Sequence, residues 1–262
     1  MPVTFPVHTN VFIIALMVMT GVGAWLLLSQ GLDKTGVPGR SARRWRWALG
    51  TGLIAWFGGR LVLSPNPPAA DVLATPYSFI SFAFLLAGLT AGLALLAASP
   101  RFRQVIDGAP TRGLIGLHAV RIGGFVWLAL LDMHLLPPAF GLSAGYGDIA
   151  VGASALIVVH LLTTNHPRAR AFVIGWNVLG LVDFALAVTT AFASMAPFVE
   201  QMARSGASLS YLNYPFLIPS FGVPVFGLLH VFSLFQLRSA ARRSPTAQMD
   251  TLRSVPASQS SA

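Results

Sequence analysis

The residues of this chain that could do chemistry are few, and they are ionisable groups set inside long apolar runs. His118, Arg121 and Asp132 fall in one run, separated by three and eleven residues. At about 100° per residue they share a ~60° arc of one helix face. Trp176-Asn177 and Asp183 occupy a second run. His230, Ser233 and Gln236 occupy a third, behind Tyr214 and an entry carrying Pro215, Pro219 and Pro224. A guanidinium at such a position attracts an anionic group, while carboxylate, amide and imidazole serve as its partners or carry protons. Other chemistry is absent by composition. Without cysteine there are no disulfides, thiolate metal sites or cysteine nucleophiles. The only lysine, Lys34, lies in a loop and excludes a retinal-type Schiff base in the membrane.

The elements that must position these groups follow from hydropathy. Charged residues make up 10% of the 262 residues and hydrophobic ones 55%. A soluble domain carries about a quarter charged residues, so this chain has lipid as part of its solvent. Seven apolar segments can be read at 11–28, 47–63, 77–98, 114–136, 148–164, 172–193 and 221–237. The expected fold is an all-α membrane bundle of seven transmembrane helices over residues 1–243. The Ser-, Ala- and Pro-rich stretch 244–262 reads as a disordered cytoplasmic tail. No basic region precedes the first apolar run, so it reads as a spanning helix rather than a cleaved signal.

Charge fixes the expected orientation. Lys34, Arg40, Arg43, Arg44 and Arg46 follow the first segment; Arg101, Arg103 and Arg112 follow the third. Arg168 and Arg170 follow the fifth, and Arg238, Arg242, Arg243 and Arg253 follow the seventh. The other connections carry only Arg204. This alternation puts the basic loops in the cytoplasm and the N-terminus outside. The net charge of +9 is therefore a topology signal and not a nucleic-acid footprint. The outer connections are rich in proline, as in Ser64–Pro68 and Pro137-Pro138, and Pro197–Arg204 reads as a short interfacial helix.

An ionisable group at membrane depth faces the bundle interior with a partner. Arg121 and Asp183 lie at depths differing by roughly 6 Å, within reach of an arginine, and form the expected buried pair. Arg60 and Asp148 form an expected outer pair, with Asp148 after Gly147 capping the start of the fifth segment. Pro224 breaks the last helix, and the freed carbonyls border a polar cavity lined by Arg121, Asp183, Asn177, His230, Ser233 and Tyr214. The cavity would take a small molecule or ion, with no cofactor and no metal. Two alternatives stand beside it. His118 and His230, in the inner halves of their helices together with His160, could ligate a haem b iron. Or the polar residues only pack a structural or accessory subunit. Gly88 and Gly92 have the spacing that lets helices approach closely.

The region Leu117–Leu237 resembles a family of uncharacterised bacterial multi-pass membrane proteins. The resemblance rests on Arg121, Gly147-Asp148, Trp176-Asn177, Pro215-Phe216, Ile218–Phe221, Val223-Pro224, His230 and Gln236. It implies a bacterial cytoplasmic (inner) membrane protein whose last four helices form the functional unit. It implies no activity.

Overall fold

The computed structural model describes residues 7–63, 77–205 and 214–253, and every regular element among them is helical. The outer loop at Ser64–Pro68 and the end of the chain from residue 254 lie outside these residues. Helix α1 spans Val7–Asp33 and α2 spans Gly39–Val62. They join through a tight turn at Gly36, whose φ of +66° favours glycine. The indole Nε1 of Trp25 on α1 donates to the Arg46 carbonyl on α2 at 3.0 Å, which closes the hairpin.

Helix α3 covers Tyr77–Ala98 and α4 covers Pro100–Gly108. Between them Ser99 caps α4, its hydroxyl accepting from the Phe102 N–H at 3.1 Å, and Pro100 stands where a missing N–H costs nothing. Helix α4 lies within a connection expected as loop. It is amphipathic: Phe102, Val105 and Ile106 are buried while Arg101 stays exposed.

The next span is a composite of α5 (Thr111–Gly116), a 3-10 helix (Leu117–Gly124) and α6 (Phe125–Asp132). Then come α7 (Pro138–Thr163), α8 (Ala169–Arg204), a π turn (Ile218–Gly222) and α9 (Val223–Arg253). Six helices are long and apolar enough to cross a membrane: His8–Asp33, Ile80–Ala98, Thr111–Asp132, Pro138–Thr163, Ala169–Met202 and Ile218–Arg242. Helix α2 is not among them, because four arginines fill its first two turns and Arg60 sits near its end. Of the last span's apolar window 72% is buried, against 17% for Ile80–Ala98, so α9 is the axis of the bundle and α3 lies at its rim. Val18, Leu26, Ile54, Ile157 and Val178 face outward, a surface suited to lipid and not to water.

Three segments differ from the sequence reading, each for a local reason. Helix α7 begins at Pro138, ten residues before Asp148, because a proline opens a helix readily and the glycines after it are kept helical by close packing. Asp148 is therefore an interior residue and does not cap a helix start. Helix α8 runs unbroken through Pro197 to Arg204, so Pro197–Arg204 is its last turns and not a separate interfacial helix; Glu200 and Arg204 pair on its exposed face. Helix α9 continues to Arg253, so 244–253 is helical where composition suggests a disordered tail.

Glycines at two crossings set how closely the helices pack. A Cβ on Gly88 would fall 1.9 Å from the Trp56 ring, and one on Gly92 would fall 2.3 Å from Leu228. The expected Gly88/Gly92 pair thus seats α2 on one side of α3 and α9 on the other. Gly31 and Gly108 bring α1 and α4 into backbone contact, where an added Cβ would meet carbonyl oxygen at 2.1 and 2.5 Å.

Candidate functional site

The 3-10 helix positions the centre of the site. At three residues per turn, His118 and Arg121 stack one above the other along its inner face, and both are buried. The same tightening advances each residue by about 120° instead of 100°, which carries Asp132 off this face. Asp132 is exposed at the end of α6, and the expected three-residue arc is reduced to two.

Arg121 is the hub. Its Nη2 donates to Asp183 Oδ2 on α8, the expected partner. Its Nε donates to Asp148 Oδ1 on α7 at 2.7 Å. Asp148 thus turns to Arg121 and not to Arg60. The second Asp148 oxygen accepts from Trp127 Nε1 at 3.2 Å. The guanidinium also lies over the Phe184 ring, 4.0 Å from its centroid, a favourable cation–π placement away from water.

On its third side Arg121 Nη1 stands 3.4 Å from His230 Nε2. The other His230 nitrogen, Nδ1, lies 2.9 Å from Asn177 Oδ1. An amide oxygen only accepts, so the proton sits on Nδ1 and Nε2 faces the guanidinium as acceptor. Asn177 Nδ2 donates onward to Val173 O at 2.8 Å and to Ser233 Oγ at 3.1 Å. One continuous network thus joins α6, α7, α8 and α9 to the 3-10 helix.

Glycine makes room for it. A Cβ on Gly147 would fall 1.6 Å from Asp183 Oδ1, one on Gly180 2.2 Å from His230 Nε2, and one on Gly124 2.4 Å from the Asp148 Cβ. Gly124 and Gly180, with Trp127 and Phe184, are site residues that sequence reasoning missed, and Gly147 was named there without this role. For the glycines the signal was a helical position on spans that also carry the charges.

Above the network lies a cleft of about 130 Å³, with Asp148 and Asp183 at its floor. Phe140 and Ala144 rise from Asp148 at four-residue steps on α7; Ala187, Ala191 and Met195 do so from Asp183 on α8. Alternate small side chains on two facing helices are what open the space. Pro219 and Ile218 of the π turn close one wall, and of the six residues expected to line a polar cavity only Asp183 lines this cleft. That cavity is apolar above its acidic floor, and Arg121 lies beneath the carboxylates.

The remaining expected residues sort as follows. Ser233 and Asn177 belong to the network, while Tyr214 is half-buried against the hydrophobic core and does not line the cleft. Arg60 is fully buried at the end of α2, donating through Nε to Ser220 Oγ at 2.9 Å and through Nη2 to Ser81 Oγ at 3.4 Å. It ties α2 to α3 and the π turn. Gln236 joins α9 to α4 and α5 by donating to Ile106 O at 2.6 Å and Ala109 O at 2.8 Å, while accepting from Thr111 Oγ1.

His160 is exposed, and no group of three metal-binding side chains occurs among the described residues. The His118 and His230 rings lie 4.1 Å apart, centroid to centroid. Two axial imidazoles bind opposite faces of a haem with the macrocycle between them, and rings in direct contact leave it no room. Trp176 and Phe226 pack on His118 as well, 4.8 and 5.1 Å away. Neither ring nitrogen of His118 has a hydrogen-bond partner among the described residues.

No curated protein and no solved structure matches the chain. A family model does match, over residues 77–238, which takes in α3 as well as the four spans that carry the resemblance. The chain belongs to this family, described as a domain of unknown function (DUF8737).

Proposed function

We propose that the protein is a seven-span protein of a bacterial cytoplasmic membrane that binds a small amphipathic molecule in the outer cleft, polar head down. The seventh crossing is α2. Of its 24 residues, the 16 from Trp47 to Val62 lie beyond the arginine-rich start and rise about 24 Å. That approaches a ~30 Å hydrocarbon layer, with the flanking Arg46 side chain reaching to the interface. The helix packs antiparallel to α1 through a short turn. Its arginine-rich start stays in the cytoplasm with the other basic loops, and its Arg60 end reaches the outer side beside Ser81 and Ser220.

One observation carries the reading of the ligand: a single guanidinium faces two carboxylates, and both carboxylates open on the cleft. With both ionised, the floor carries one negative charge in excess. Arg121 is already countered, so the head that reaches the floor is a cation or a hydrogen-bond donor, not the anionic group that Arg121 alone suggests. The walls of phenylalanine, alanine and methionine suit an apolar body.

The test compares two amphiphiles of equal body and opposite head, hexyltrimethylammonium and hexanesulfonate, by calorimetric titration of the purified protein. The cation should bind more tightly, and Asp148→Asn should weaken it about tenfold or more. Arg121 keeps Asp183 in that variant, so the fold is preserved. Binding of neither probe would assign the network to packing, in a structural or accessory subunit.

A further inference from the structure

A second space, independent of the first, lies between α1 and α2. It is a groove of about 510 Å³. Arg43 and Arg46 stand at one end, beside Trp25 and the exposed Trp47. Phe57 and Phe221 close the other, their rings packed edge to face with centroids 5.2 Å apart. We infer that this groove is a binding site for one acidic glycerophospholipid, its phosphate on Arg43 and Arg46 and one acyl chain laid toward Phe57.

Length, charge and shape each support that occupant. From Arg46 to Phe57 the helix rises about 16 Å, close to half of a ~30 Å hydrocarbon layer, so the groove is as deep as one leaflet. It is blind at the depth where a leaflet ends. The walls between are Met17, Val22 and Leu53, and Gly21 and Gly50 leave the floor open.

Five cationic residues and one acid occupy the stretch from Asp33 to Arg46. The acid, Asp33, takes one Arg46 nitrogen, which leaves the rest of that guanidinium and all of Arg43 for a phosphate. Tryptophan at the charged end matches the headgroup level, where its ring is half apolar and its N–H can be satisfied. The Trp25 N–H is already spent on the Arg46 carbonyl, which holds the arginine-bearing turn against α1.

Native mass spectrometry of the full-length protein, titrated with phosphatidylglycerol or phosphatidylcholine of matched chains, tests the site. One phosphatidylglycerol should bind at least about tenfold more tightly than phosphatidylcholine. R43Q/R46Q should reduce that preference to about twofold or less. R40Q/R44Q removes equal charge from the same helix away from the groove and should retain most of it. Thr51→Phe, which fills the groove and leaves the arginines in place, should lower retention of both lipids. Glycerol phosphate should not displace the lipid, because the chain contributes to binding. The proposal fails if the wild type shows no preference, or if the preference survives R43Q/R46Q. It also fails if both double variants lose it equally, since diffuse surface charge would then explain it, or if Thr51→Phe retains lipid as the wild type does.

Discussion

Arg121 organises the interior of this protein because it is a buried cation that no single neighbour satisfies. Its forked donors reach Asp148, Asp183 and His230 on three different helices, a geometry a lysine ammonium could not span. Removing one partner of such a network leaves a charge stranded at low dielectric. Arg121→Ala and Asp183→Ala should each cost on the order of 3–5 kcal/mol. The double variant should recover part of that loss, because neither charge is then left behind. Thermal unfolding in detergent measures the cycle, and strictly additive losses would mean the pair is not coupled. His118 is the opposite case. It is as deeply buried as Arg121, yet it is held by ring contacts with Trp176, Phe226 and His230 and not by hydrogen bonds among the described residues.

At the scale of elements, two departures from the α-helix do the positioning. The 3-10 helix eclipses His118 and Arg121, and the π turn at Ile218–Gly222 widens the entry to α9 where Pro219 and Pro224 remove backbone donors. Elsewhere the elements are regular, and glycines adjust how closely they approach. This yields a contrast on α7 and α8. Gly147→Ala would drive a methyl group into the Asp183 carboxylate and should destabilise by about 1–3 kcal/mol while shifting any cleft ligand. Gly175→Ala meets nothing within 4 Å and should be neutral or stabilising by up to about 1 kcal/mol, since alanine is the better helix former. Unfolding midpoints of the two variants decide it. Equal effects would mean that the glycines serve flexibility and not space.

For the whole molecule, the arrangement is a buried axis, α9, ringed by spans whose outer faces suit lipid. The ring is held from both ends: Arg60 links α2, α3 and the π turn near one surface, and Gln236 links α9 to α4 and α5 near the other. The orientation proposed above rests on the basic loops. Reporter fusions at Gly36, Gly108 and Ala240 should signal cytoplasm, and a fusion at Ala139 the outside. A cytoplasmic signal at Ala139 would reverse the orientation, and with it the side from which the cleft is entered. Gly36 and Ala139 on the same side would require an even number of crossings between them, whereas the proposed seven spans place three there: α2, α3 and Thr111–Asp132.

The sequence by itself determined the membrane-spanning class, the alternation of basic loops, the Arg121–Asp183 pair and the break at the head of the last helix. Each depends on a local quantity: hydropathy over a window, the cost of a charge in lipid, or the missing donor of proline. Only the tertiary structure decided the rest. Asp148 reads as a helix cap because Gly145-Tyr146-Gly147 looks like a turn, yet packing of those glycines against Leu128 and Asp183 keeps α7 helical and turns the half-buried aspartate toward Arg121. Asp132 leaves the site because the 3-10 stretch, invisible to a 100° periodicity, rotates the helix beyond it. His118 and His230 come into contact, which distinguishes neighbouring histidines from haem ligands only once the distance is known. With both carboxylates ionised, the second one on Arg121 turns the charge balance from neutral to negative. That balance is a sum over three helices, and no single segment contains it.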